Sequence, residues 1–357
     1  MVYQSIQARQ APSNAKGIIR WMRENLFSSV RDSALTLVCF YVLVSIVPPF
    51  LDWAIFDATW SGAKEDIVNG GARWIFVAEK FNQFMYGFYP SELHYRPNLV
   101  LVILALSVLV FKKTKNTKIK ISILLLFPVI SYILIAGGFG LQVVDTSQWG
   151  GLLLTIVIAS VGIIASFPIG ILFALGRQST MPIVRTVSVA YIEFIRGVPL
   201  ITLLFMSSVI LPLFFPEGMD VDKLLRALIG ITLFQAAYIA EVVRGGLQAI
   251  TKGQYEAANS LNLSYWKTMG FVILPQALKI SIPNIVGSFI SLFKDTTLVL
   301  IIGLFDLLAV VQLASSDTNW LGFQLEGFVF VAMIYWVLCF SMSKYAKNLE
   351  NRFNTNR

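Results

Sequence analysis

Apolar residues run through this chain in long blocks separated by short charged stretches. About 20 apolar residues let an α-helix cross the hydrocarbon core of a bilayer. Eight blocks approach that length: 33–50, 97–111, 121–141, 151–176, 200–215, 224–243, 282–304 and 328–342. The block 97–111 is barely long enough. The pattern predicts an all-α, polytopic membrane helix bundle of about eight transmembrane helices. Between the fourth and fifth blocks, 187–195 reads as a short amphipathic stretch interrupted at Arg196-Gly197-Val198-Pro199.

Charge orients the blocks. Lysine and arginine collect in cytoplasmic loops. Residues 1–32 form a polar arm with Arg9, Lys16, Arg20, Arg23 and Arg31, and the tail 344–357 carries Lys344, Lys347, Arg352 and Arg357. Both termini are therefore expected in the cytoplasm. Lys112, Lys113, Lys115, Lys118 and Lys120 mark another inside loop, and Arg177 and Arg185 a third. The linker with Glu217, Asp220 and Asp222 is acidic and expected outside. Segment 52–97, with Trp53, Trp60, Trp74, Tyr86 and Tyr89, reads as an outside segment whose rings sit at the membrane surface. A contact with a soluble partner is its second reading.

Composition agrees with a membrane chain: 56% of the 357 residues are hydrophobic and 13% charged, with mean hydropathy +0.72. The net charge of +8 is accounted for by inside loops. With no basic patch on a soluble domain, nucleic acid is not expected as a partner. Cys39 and Cys339 lie inside apolar blocks and His94 is the only histidine, so neither a disulfide framework nor a histidine metal site is expected. No G-x-x-x-x-G-K-[ST] phosphate loop occurs. The chain thus lacks its own ATPase site, and no catalytic residue or bound cofactor is expected in it.

The long loop 244–281 stands out in so apolar a chain. Thr251 and Gln254 have capping-box spacing. Glu256-Ala257-Ala258 continues a short helix, Asn262 suits a left-handed stop, Ser264 can cap a second helix, and Pro275 blocks its simple continuation. Two short helices at an angle are expected. Glu256-Ala257-Ala258, the turn position Asn262 and Val272-x-Leu274-Pro275 resemble the EAA loop of ABC importer permeases, where the turn residue is usually glycine. Further stretches are similar to the polar amino acid subfamily: Gly151-Leu152 to Thr155, Ala174-Leu175-Gly176-Arg177, Tyr191-Ile192-Glu193 with Arg196-Gly197-Val198-Pro199-Leu200, Ala237-Tyr238 with Glu241 and Arg244-Gly245-Gly246, and Lys294-Asp295-Thr296-Thr297-Leu298. The resemblance runs from about Trp149 to Phe340. The long amino-terminal region is seen in permeases of general L-amino acid systems.

The resemblance implies a type I ABC importer permease core over 149–343, preceded by an extra transmembrane region, 33–148, in a bacterial inner membrane. It implies that Tyr255, Glu256, Ala257, Ala258, Leu261 and Asn262 form a coupling helix gripped by a separate ATPase. The partners implied are a second homologous permease, expected as a heterodimer, two ATP-binding subunits carrying ATP-Mg, and an amino-acid-binding protein. Amino acid is the substrate. The alternative function is an ion-coupled secondary amino acid transporter, which would need no ATPase.

Four charges stand as candidate pathway or gate residues. Glu241 and Arg244 are three apart, as a surface ion pair would be. Lys294 and Asp295 fall near the middle of the seventh block, where a charge is costly. Either the helix breaks there or each charge finds a partner. Arg196, Gly197 and Pro199, beside Glu193, mark a candidate hinge.

Overall fold

The computed structural model describes residues 17–61, 70–216 and 221–354. Arg9, Lys16, Glu217, Asp220 and Arg357 lie outside the described residues. The chain divides into two compact units, Met1–Ile75 and Phe76–Arg357.

In the first unit, α1 (Ile18–Asn25) precedes α2 (Val30–Leu51). The arm expected to be polar to residue 32 thus contains an amphipathic helix, and the first block begins three residues early. Ser29 caps α2 by accepting from the Asp32 amide at 3.2 Å. Pro48 and Pro49 lie inside α2 and a π-helical turn, Asp52–Phe56, follows them. Trp53 and Trp60 flank Trp74, whose indole N–H donates to the Ala54 carbonyl at 2.8 Å.

The second unit opens with α3 (Ile75–Tyr86), α4 (Tyr95–Lys113) and α5 (Thr117–Ala136). Here the structure changes the reading of the aromatic segment. Phe76 and Phe84 are fully buried, and Phe76 packs against Trp320 and Phe323. His94 stacks on Tyr86 with ring centroids 4.1 Å apart. Phe76, Phe84 and Tyr89 therefore belong to the protein core, while Phe81 and Phe88 stay exposed. Gly87 approaches the Gly150 backbone so closely that a Cβ there would overlap it.

The remaining helices are α6 (Gly151–Arg177), α7 (Pro182–Gly197), α8 (Leu200–Val209), α9 (Lys223–Gln248), α10 (Lys252–Ser260), α11 (Tyr265–Lys267), α12 (Leu274–Asp295), α13 (Leu307–Ser315) and α14 (Gln324–Asn354). Among the described residues six helices are long and apolar enough to span a membrane, seven if α7 and α8 make one bent span. The 20-residue α5 is a further apolar helix. The fifth block does not become one long helix. α8 has ten residues, about 15 Å of helix, and meets α7 at 106°.

α9 is the centre of this unit. Its small residues Ala227, Gly230, Ala236, Ala237, Ala240 and Gly246 are buried, which lets neighbouring backbones come close. Gly170 of α6 illustrates how close: a Cβ there would meet the Ile239 Cβ at 2.7 Å. Gln235 reaches across to Ser288 of α12 at 2.8 Å.

Candidate functional site

The loop after α9 is shorter than expected. α10 spans Lys252–Ser260, but the second helix is not free-standing. α11 passes through a π-helical stretch, Thr268–Ile273, into α12 without a break. The wide turns end beside Pro275 and absorb the ring that would otherwise clash with the preceding turn.

The expected capping box does not form. Thr251 makes no side-chain cap, and the Gln254 side chain instead accepts from Gln276 at 3.1 Å. Ser264 makes no side-chain cap either. The stop at Asn262 does form. Asn262 has φ +53°, its amide donates to the Asn259 carbonyl at 2.8 Å, and the Leu263 amide donates to Ala258 at 3.2 Å. These two bonds make a Schellman motif with asparagine where glycine is commonest.

One face of α10 is held by the bundle. Ala258 is buried, and Tyr255 packs on a cluster that includes Leu247, Met269 and Ile273. Burial pushes the Tyr255 phenol up from its ordinary pKa, so it stays neutral. The other face is free: Glu256, Ala257 and Leu261 are exposed, as are Tyr265 and Trp266 beyond the turn. A short helix is thus fixed from below and open above.

Glu241 and Arg244 do more than pair with each other. Arg244 Nε donates to Glu241 at 2.9 Å. Arg177 of α6 lies 3.4 Å from Glu241 and 2.8 Å from Glu193 of α7. Arg196 approaches Glu241 at 3.9 Å and lies over the Tyr238 ring at 5.7 Å. Glu193 and Arg196, three residues apart on α7, thus turn to other helices and join an interhelix network of three arginines and two glutamates. It lies at the α6 end nearest α10. Beside it a cleft of about 420 Å³ is lined by Glu241, Gly245, Gly246, Ser281 and Asn284.

Lys294 and Asp295 resolve differently. The α-helix ends at Asp295 and continues as a 3-10 helix, Thr296–Ile302. Lys294 is exposed and Asp295 half-buried, and neither enters an ion pair among the described residues. The seventh block is broken at its charges. At the other break, Val198 and Pro199 adopt extended conformations between α7 and α8. Proline disfavours helix in the residue before it. Gly197 stays helical, and Arg196 is tied into the charge network.

Sequence reasoning missed a buried polar knot at the opposite end of α6. Asp306 is fully buried. It caps α13 through the amides of Leu308 and Ala309 at 3.3 and 3.0 Å and accepts from Tyr335 at 3.1 Å. Thr155 accepts from the Leu307 amide at 3.1 Å, and the Gly151 amide donates to Phe305 at 2.9 Å. Asp306 before the apolar run Leu307–Val311 was the available signal, since aspartate there is a helix-start residue.

Comparison with known proteins agrees with this architecture. Residues 166–355 match the model of the binding-protein-dependent transport system inner membrane component family. The chain is 55% identical over 354 residues to the inner membrane amino-acid ABC transporter permease protein YhdY of Escherichia coli, covering 98% of this chain and 96% of that one. It is 39% identical to the glutamate/glutamine/aspartate/asparagine transport system permease protein BztC of Rhodobacter capsulatus, over 96% of this chain and 95% of that one. Among solved structures, an amino acid ABC transporter crystallised with histidines is similar at TM-score 0.50 and 31% identity, over 57% of this chain and 92% of that one. The chain belongs to the binding-protein-dependent transport system inner membrane component family.

Proposed function

We propose that this chain is the pore-forming permease subunit of an ATP-driven amino-acid importer of the ABC class. The observation that carries the reading is α10, a short helix clamped underneath by Ala258 and Tyr255 and exposed above through Glu256, Ala257 and Leu261. A surface held this way transmits a push to α9 and α12 and is free to receive one. The relatives that match nearly end to end are named as amino-acid permeases, which supports the substrate class.

In this reading a separate ATPase binds Mg-ATP and grips α10. A second homologous permease completes the pathway, and a binding protein delivers the amino acid. Both termini of the chain lie in the cytoplasm, in accord with the Lys and Arg content of the loops. Closure of the two ATPases draws the α10 helices together and the spans rock, opening the core outward. The charge network at Glu241 ties α6, α7 and α9 into one body that moves with α10. Glu241 and Arg244 brace the coupling site, whereas exposed Lys294 and half-buried Asp295, at the helix break, remain candidates to line the pathway. Val198–Pro199, between Arg196 and α8, serves as the hinge.

The test is a cysteine at Ala257 in the tagged, membrane-extracted complex, in a background with Cys39 and Cys339 replaced by serine. A nucleotide-binding subunit should co-purify, and a bifunctional reagent should link it to residue 257. Recovery of active transporter with nothing bound there would sink the coupling role. Uptake of labelled amino acids by a deletion strain, with and without the gene restored, tests the substrate class.

A further inference from the structure

α1 is amphipathic, and none of its residues is buried. At 100° per residue, Ile18, Ile19, Trp21 and Met22 fall on one side of this eight-residue helix, with Arg20, Arg23 and Glu24 opposite. All four apolar side chains are exposed. Arg20 pairs with Glu24 at 2.6 Å. Arg23 and Arg31 are exposed and enter no ion pair among the described residues.

The chain also fixes the level at which α1 sits. Thr36, inside α2, donates its hydroxyl to the Leu26 carbonyl at 2.7 Å, just past the end of α1. Thr36 is six residues beyond Val30, about 9 Å along the helix. The turn between the helices is pinned as well, with Ser28 and Ser29 both donating to Asp32. The end of α1 is thus held at the depth of the second turn of a membrane-spanning helix. A helix held beside the second turn of a spanning helix lies near that helix's end, and amphipathic helices at a membrane interface bury their apolar face by roughly 5–10 Å.

We infer that α1 is an interfacial anchor: it lies in the membrane plane with Ile18, Ile19, Trp21 and Met22 among the acyl chains, and Arg23 and Arg31 hold anionic lipid headgroups. Charge complementarity selects the ligand. Arg20, Arg23 and Arg31 stand against Glu24 and Asp32, which leaves one net positive charge, and Arg23 and Arg31 pair with no carboxylate among the described residues.

The test uses the full complex in nanodiscs of phosphatidylethanolamine and phosphatidylglycerol. Spin labels go on single cysteines replacing Ile18, Arg20, Met22 and Glu24, with Cys39 and Cys339 changed to serine. Positions 18 and 22 should collide with oxygen in preference to a water-soluble nickel chelate, and positions 20 and 24 the reverse. Equal nickel access at all four overturns the proposal. Shielding of 18 and 22 from both reagents overturns it too, because a protein partner would then cover the face. Hydrogen exchange of residues 18–26 in the unlabelled wild-type complex gives an independent reading. Protection that drops when phosphatidylcholine replaces phosphatidylglycerol supports the anchor; the same fast exchange in both lipids refutes it.

Discussion

α2 and α9 are both long apolar helices, of 22 and 26 residues, yet they live in opposite surroundings. None of the most apolar window of α2 is buried within the chain, against 56% of that of α9. α9 is nevertheless the less apolar of the two and the least apolar of the six candidate spans. A helix hydrophobic all round has lipid or another apolar surface as its neighbour. A helix sheathed by its own bundle can carry Gln235, Glu241 and Arg244, because each meets a protein partner. Small residues, not large apolar ones, then set how well it packs.

The largest effect that would separate the two is over-packing. Gly170→Leu drives a side chain into Ile239 and the Ala236 carbonyl of α9, 2.7 and 2.8 Å from the first added carbon. Overpacking costs about 1–3 kcal/mol or more, and here the obstacle includes backbone. Folded yield, read by size-exclusion of the detergent-extracted protein, should fall severalfold. Ser45→Leu on the exposed surface of α2 adds similar bulk and should leave the yield unchanged. Equal losses would break the comparison.

A smaller effect probes the charges that α9 carries. Glu241→Ala leaves Arg177, Arg196 and Arg244 facing one another with only Glu193 nearby. The carboxylate is about one-quarter exposed, so water screens part of the penalty and the cost is about 1–2 kcal/mol. The thermal midpoint of the purified complex should drop by a few degrees. Combining Glu241→Ala with Arg244→Ala should cost less than the sum of the two single changes, since the double variant removes one of the stranded cations. Strict additivity would mean that the network is only a set of neighbours.

The sequence made the long helices legible because spanning a bilayer imposes one strong requirement, length of apolar chain. The block 151–176 became α6, and 224–243 became all of α9 but its first residue and its last five. Asn262 was legible for a local reason, the tolerance of asparagine for positive φ. What stayed hidden depends on residues distant in the chain. The spacing of Glu193 and Arg196 suggests a pair, but Arg177 from α6 takes the glutamate. Gln254 leaves its capping role for Gln276. Tyr89 read as a membrane-surface anchor because nothing in that segment announces its partner, the Ile135 carbonyl 46 residues on. α13 was missed because a nine-residue, mostly apolar helix after Asp306 falls below any spanning length.

The smallest effect is the sharpest test of the α2 side of the contrast. Leu37 and Phe40 are each about 60% exposed on α2. Truncating a buried leucine or phenylalanine in a protein core costs about 2–5 kcal/mol, because a cavity remains. On a lipid-facing helix no cavity forms, since acyl chains close over the gap. Leu37→Ala and Phe40→Ala should therefore each shift the thermal midpoint of the complex in nanodiscs by no more than experimental scatter. The same truncation of Leu292, which is 1% exposed in α12, should lower it clearly. If Leu37→Ala instead matched Leu292→Ala in the complex but not in the isolated chain, the exposed side of α2 would be an interface with another subunit. The uniform apolarity of the helix would then report a protein neighbour in place of lipid.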